Sequence, residues 1–186
     1  MKIIAGDLKG KKILFPSDKN TRPLRDMVKE SIFNLLENSN KFDLKISQSI
    51  ILDFFSGSGS FGLECISRGA KKVCFFENYS QTVKILKRNI LDLKLEEKCN
   101  LFQQDCFNFF QYEKTLNEKF NIIFIDPPYK EKRVNLLIEK ILDKKILNNK
   151  GVIIIHRHKK DDLVISNKLK ILDTRVYGIS KIIIGR

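Results

Sequence analysis

Asp126-Pro127-Pro128-Tyr129 closes the apolar run "IIFI" within "KFNIIFIDPPYKEKR". Two successive prolines exclude the interior of a helix or of a central strand. They make a rigid corner directly after a buried strand, with a carboxylate before it and an aromatic ring after it. The Pro127 carbonyl and the Asp126 carboxylate are two acceptors, and Tyr129 offers a flat face for a ring to stack on. The exocyclic amino group of a base carries two N–H donors, so the corner is suited to grip an aromatic amine with little freedom lost on binding. Holding both hydrogens aims the nitrogen lone pair at an electrophile. The chemistry is then positioning, plus stabilisation of developing positive charge by Asp126. The proton released can go to Asp126 or to water.

A second constellation precedes it. "DFFSGSGSFG" holds Gly57, Gly59 and Gly62 as a G-x-G-x-x-G between a strand and a helix. Such glycines permit a tight turn and close approach of a ligand to the backbone, and the pattern alone fits dinucleotide binding. Asp53 lies just before the loop, where a pyrophosphate would sit. A carboxylate there is unhelpful to an anion and suits a phosphate-free ligand with an ammonium group, such as S-adenosylmethionine. Glu77 ends the next strand, where it can accept both hydroxyls of a ribose. Asp105 ends the third, within reach of an adenine amino group. Any one of these acids is explained as well by a helix cap. Three at successive strand ends, on the edge where open α/β sheets bind ligands, point to a site.

The elements that must position these residues alternate. "SIILDFF", "KKVCFFE", "CNLFQQD", "FNIIFID" and "GVIIIHR" read as strands. Helices lie between them: "SFGLECISRG" closed by Gly69, "SQTVKILKRNILDLKL" with Val83, Leu86, Ile90 and Leu93 on one stripe, and "RVNLLIEKILDKKIL" with Leu136, Leu137, Ile141 and Leu142 facing inward. A further helix follows "RPLRD", with Val28, Ile32, Leu35 and Leu36 at helical spacing. The pattern predicts an α/β fold: a mostly parallel sheet with helices on both faces. "KLKILDTRVYGISKIIIGR" predicts an antiparallel hairpin at the C-terminal edge, turning around Tyr177-Gly178. "MKIIAGDLKGKKILF" predicts a small N-terminal β-hairpin extension turning near Lys9-Gly10. The expected division is a basic extension over 1–22 and a catalytic domain over 23–186. The cluster "FNFFQY" at 107–112 is expected to pack as core rather than to stack on bases.

The 186 residues carry a formal charge of +13, concentrated at the ends. Residues 1–25 hold seven Lys or Arg against two acids, and residues 150–186 hold nine against three. A polyanion would be drawn to both ends. No apolar run approaches bilayer-spanning length, and the opening stretch lacks the apolar core of a secretory leader. The four cysteines form no C-x-x-C pair, so neither a disulfide framework nor a zinc site is expected. A reduced, cytoplasmic setting follows as the expectation. His156 and His158 are expected to be solvated or to face RNA, and no metal site is expected.

Together, "LDFFSGSGSFGLE", "FFEN" and "IIFIDPPY" resemble the class I S-adenosylmethionine-dependent methyltransferases of the Rossmann-like fold that modify amino groups. The whole chain, with "KIIAGDLKGKKI…TRPLRDMVKESIFNLL" at its front, is similar to the bacterial 16S rRNA (guanine-N2)-methyltransferases of the RsmD type. The resemblance implies methyl transfer to N2 of a guanine in small-subunit rRNA, with the base flipped out of its stack. It implies a cofactor set of Asp53, Phe55, Ser56, Gly57, Gly59, Gly62, Glu77, Asp105 and Cys106. Asp126, Pro127, Pro128 and Tyr129 would hold the base. Lys9, Lys11 and Lys12 would meet RNA, and Arg22 and Arg25, in the matching basic N-terminal segment, would touch RNA phosphates or close over the cofactor. The partner would be 16S rRNA or an assembly intermediate of the small subunit, met by a monomer without membrane attachment. Two departures stand out: "IIIHRHKK" where an acid is expected after the fifth strand, and "YGIS" where "YGDT" is expected. DNA adenine methylation would usually call for a separate target-recognition region, and the chain has almost no residues to spare for one. A nicotinamide-dependent oxidoreductase leaves "DPPY" unexplained. A non-catalytic RNA-binding protein would bind equally well with Asp126→Ala.

Overall fold

Seven strands form one sheet in the order β3-β2-β1-β4-β5-β7-β6. The computed structural model describes residues 1–16, 24–111 and 118–186. The strands are β1 (Ile50–Phe54), β2 (Lys72–Glu77), β3 (Cys99–Gln103), β4 (Phe120–Ile125), β5 (Leu147–His158), β6 (Ile171–Tyr177) and β7 (Ser180–Gly185). The first five pair in parallel, and β7 pairs antiparallel with both β5 and β6. The predicted C-terminal hairpin is therefore present, with β7 inserted beside β5 and β6 at the edge. Gly178, at φ 59°, opens its two-residue turn.

The central strands are buried on both faces, which is why they read as unbroken apolar runs rather than alternating ones. One face carries Ile51, Val73, Phe75, Ile122, Phe124 and Ile154, covered by α1 (Asp26–Asn38), α2 (Ser60–Ser67) and α3 (Ser80–Asp92). The other carries Leu52, Phe54, Phe76, Ile123, Ile125 and Ile155. It is covered by α4 (Val134–Asp143) and by the short 3-10 helix Cys106–Gln111. Phe109 is fully buried there against Phe54, Phe76 and Phe120, as expected for core; Tyr112 lies outside the described residues. Leu136 corrects the reading of α4. It is 54% exposed, and the inward stripe is Val134, Leu137, Ile138 and Ile141.

The N-terminal segment doubles back with one antiparallel bridge, Lys2 to Lys12. Ile3 and Ile13 are buried in the same core as α1 and α2. The segment runs along α2: Asp7 N–H donates to Ser67 O at the helix's last residue, while Leu14 N–H donates to Asn89 Oδ1 of α3, whose amide also donates to Ser58 O just before α2 begins. Phe15 is thereby carried to the edge of the sheet where the first residues of α2 lie.

Candidate active site

The parallel strands point their C-terminal ends to one edge, and their order reverses direction between β1 and β4. A crevice opens at such a switch point. Here it is a cavity of about 340 Å³, lined on one side by Asp53, Phe55, Ser56, Gly57, Glu77 and Tyr79 and on the other by Phe124, Asp126, Pro127, Pro128 and Tyr129. Phe15 and Leu24 add to the wall. The glycine loop and the proline corner, about seventy residues apart in sequence, thus share one pocket.

Strand register explains the convergence. Asp53 pairs with Phe124, and Phe124 pairs with Ile154. Side chains two residues further along a strand return to the same face. Asp53, Asp126 and His156 therefore project on the same side of the sheet.

The loop from Phe55 to Gly59 turns sharply. Phe55, Gly57 and Gly59 have φ of 58°, 56° and 82°, all left-handed. A phenylalanine in that region is strained, a condition that concentrates at functional sites. The loop N–H groups are largely committed within the protein. Ser56 N–H donates to Phe76 O at 3.1 Å, and Gly57 N–H to Glu77 Oε2 at 2.9 Å. Gly59 N–H donates to Ser56 O at 2.9 Å. A phosphate cradle would need such donors turned toward the ligand. Gly62 lies outside the pocket lining. Its N–H donates to Asp53 Oδ2 at 3.1 Å, and a Cβ there would come within 2.3 Å of the Phe75 ring. Its smallness serves the packing of α2 on the sheet.

Charge in the pocket is one-sided. Asp53, Glu77 and Asp126 line it, and no described Lys, Arg or His does. Burial pushes the Asp53 carboxyl well above the usual range, offset in part by the Gly62 N–H, with the Asp126 and Glu77 charges adding to the rise. Glu77 is oriented by two backbone donors, Gly57 N–H and Tyr79 N–H, the latter at 2.8 Å. Asp105 and Cys106 fall outside the lining. Asp105 Oδ1 caps the 3-10 helix by accepting Phe107 N–H at 3.0 Å, and the Cys106 thiol is buried in the core.

The expectation for His156 is overturned. It is 2% exposed, and its Nδ1 lies 2.8 Å from Asp126 Oδ1. A central strand flanked by β4 and β7 leaves no solvent at that position. His158 packs edge-on to Tyr129, with ring centroids 5.0 Å apart. Arg157, unremarked in the sequence, is 1% exposed. It donates to Pro128 O at 3.3 Å and to Tyr129 O at 3.1 Å, and it pairs with Asp161. Position next to His156 on a strand was the only available signal for it. Among the expected RNA contacts, Lys9, Lys11, Lys12 and Arg25 are exposed, while Arg22 lies outside the described residues. Lys12 is bridged to Lys2, whose carbonyl meets Lys29 beside Ser60 at the pocket end of α2. Lys9 lies at the other end, near Ser67.

The profile of the family described as "Conserved hypothetical protein 95" matches residues 1–186. Ribosomal RNA small subunit methyltransferase D of Buchnera aphidicola (subsp. Acyrthosiphon pisum) is 34% identical over 163 residues, covering 88% of this chain and 81% of that one. The protein of the same name from Haemophilus influenzae is 31% identical, covering 96% and 90%. A solved structure from Haemophilus influenzae, provisionally titled a methylase, superposes with a TM-score of 0.76 at 29% identity, over 99% of this chain and 96% of that one.

Proposed function

The chain belongs to the family of ribosomal RNA small subunit methyltransferase D, and we propose that it moves a methyl group from S-adenosylmethionine to the exocyclic N2 amine of a guanine in small-subunit (16S) rRNA. One observation carries the reading most: a pocket with three carboxylates and no described cation opens directly onto the proline corner. The donor, when bound, supplies a sulfonium-activated methyl group. Its positive charge and its ammonium suit Asp53 and Asp126, as a dinucleotide's pyrophosphate would not. Glu77, fixed by two backbone donors, retains lone pairs for ribose hydroxyls. Gly57 keeps the wall low at its side.

At the corner, Asp126 and the Pro127 carbonyl accept the two amine hydrogens, and Tyr129 carries the base. The N–C bond forms as the S–C bond breaks, and the amine gives up one proton to Asp126 or to water. Asp126 offsets the positive charge that develops on nitrogen. The base must leave its stack first, at a cost of a few kcal/mol. The exposed lysines of the N-terminal segment and the net +13 charge favour phosphate contacts that offset it.

The test is direct. The protein is incubated with radiolabelled S-adenosylmethionine and unmodified small subunits or naked 16S rRNA, and the labelled nucleoside is identified. N2-methylguanosine is expected, with loss of at least about 10²-fold in rate for Asp126→Ala. Label on another base, or none on either substrate, contradicts the reading.

A further inference from the structure

We propose that His156 is a positioning residue that fixes the Asp126 carboxylate, so that its second oxygen, Oδ2, is the acceptor presented to the amine. The inference rests on the methyl-transfer reading above. Its observation is the 2.8 Å contact between His156 Nδ1 and Asp126 Oδ1, with side-chain exposures of 2% and 19%. Against a carboxylate, Nδ1 must carry its proton and donate. That nitrogen is therefore no destination for the proton the amine releases; its part is orientation.

Asp126 follows the last residue of β4, where the strand ladder ends and the chain turns into the prolines. An aspartate there is free to rotate about two side-chain bonds unless something holds it. Misplacement of a catalytic group by about 1 Å can cost about 10²-fold in rate. β5 supplies the restraint because Ile155 pairs with Ile125, which sets His156 beside Asp126 on the same face. The next residue, Arg157, projects to the opposite face and holds the carbonyls of Pro128 and Tyr129. Adjacent residues of one strand thus grip both halves of the four-residue corner. Arg157 leaves the Pro127 carbonyl to the ligand side, and His156 leaves Oδ2.

Two variants and one spectroscopic reading test this. His156→Leu removes the donor; His156→Asn keeps an N–H close to the Nδ1 position. Methyl transfer to unmodified small subunits is followed at saturating donor, with donor affinity measured by calorimetry. His156→Leu should lower kcat by about 10- to 10²-fold with a much smaller change in donor Kd, because Asp53 and Glu77 are untouched, and His156→Asn should recover most of the loss. A His156→Leu enzyme with wild-type kcat overturns the proposal. So does a His156→Asn enzyme as slow as His156→Leu while melting like the wild type. Independently of turnover, nitrogen NMR of the wild-type imidazole should show the Nδ1–H tautomer, altered by Asp126→Ala. An Nε2–H tautomer with bare Nδ1 overturns it as well. If the wild type transfers no methyl group, the methyl-transfer reading fails, and the imidazole spectrum still decides the role of His156.

Discussion

Lys29 Nζ lies 3.5 Å from Glu64 Oε2, and neither side chain has any exposed surface. Lys29 also donates to Lys2 O and Ser60 Oγ, while Glu64 accepts the backbone N–H groups of Ile4 and Ala5 and the Arg68 guanidinium. The pair thus sews the N-terminal segment to α1 and to the helix that follows the glycine loop. Burial lowers the Lys29 ammonium from its usual range, opposed by Glu64 and Asp26.

Removing one partner strands the other. Glu64→Ala leaves a buried ammonium and two backbone donors without their acceptor, and about 3–5 kcal/mol of stability should be lost in urea unfolding. Lys29→Met with Glu64→Leu replaces both charges by apolar groups and should recover the part due to the unpaired ammonium, while the Ile4 and Ala5 N–H groups stay without their acceptor. A single variant within about 0.5 kcal/mol of wild type would contradict the assignment.

Asp53 carries the pH dependence. Its folded-state carboxyl is raised above its unfolded value, mainly by burial. Such a group contributes stability below the ordinary carboxylate range and withdraws it as pH climbs through the raised value. Asp53→Asn abolishes that withdrawal, so the unliganded variant should melt no lower than wild type at about pH 7–8. A cationic donor reverses the preference. Its binding should release a proton and tighten with rising pH across the same interval, and Asp53→Asn should bind about tenfold or more weakly with a flat profile. Calorimetry in buffers of different ionisation enthalpy measures both. Tightening with falling pH would refute the account.

The strands, the parallel sense of the first five and the two motifs are legible because each rests on local chemistry: buried runs of Ile and Phe, glycines at left-handed turns, a proline corner after an acid. Leu136 was misread because helical spacing gives a stripe without its exact rotation, and Ile138 completes the buried side instead. The roles of His156 and Arg157 at the corner are not legible in the sequence. Their partners lie about thirty residues away on β4 and its corner, and only the β4–β5 register brings them within reach. Polar residues at the end of an apolar strand read as solvent-facing until the antiparallel β7 is known to cover them. Asp105 shows the reverse case, where a strand-end acid does serve as a cap.

Gly62 separates packing from ligand contact within the glycine motif. A methyl group there meets Phe75 Cε1 at 2.3 Å and Val73 Cγ1 at 2.8 Å. Gly62→Ala should cost about 1–3 kcal/mol by overpacking, read as a shift in urea midpoint at unchanged slope. Phe75→Leu should restore part of it by vacating the ring. A stable Gly62→Ala protein that has lost donor binding would mean that the glycine serves the ligand instead.

Arg157 offers the last separation. Its planar fork reaches Pro128 O, Tyr129 O and Asp161 at once, which a lysine's point charge does not reproduce. Arg157→Lys keeps Asp161 partly compensated, so unfolding should shift by no more than about 2 kcal/mol. The proline corner, however, loses its two carbonyl restraints. Methyl transfer should fall about tenfold in kcat, with donor Kd unchanged because the fork touches the corner and not the Asp53–Glu77 side. Arg157→Met strands Asp161 and should be the less stable of the two. Equal kcat in Arg157→Lys and wild type would show that the corner holds its shape through the prolines alone.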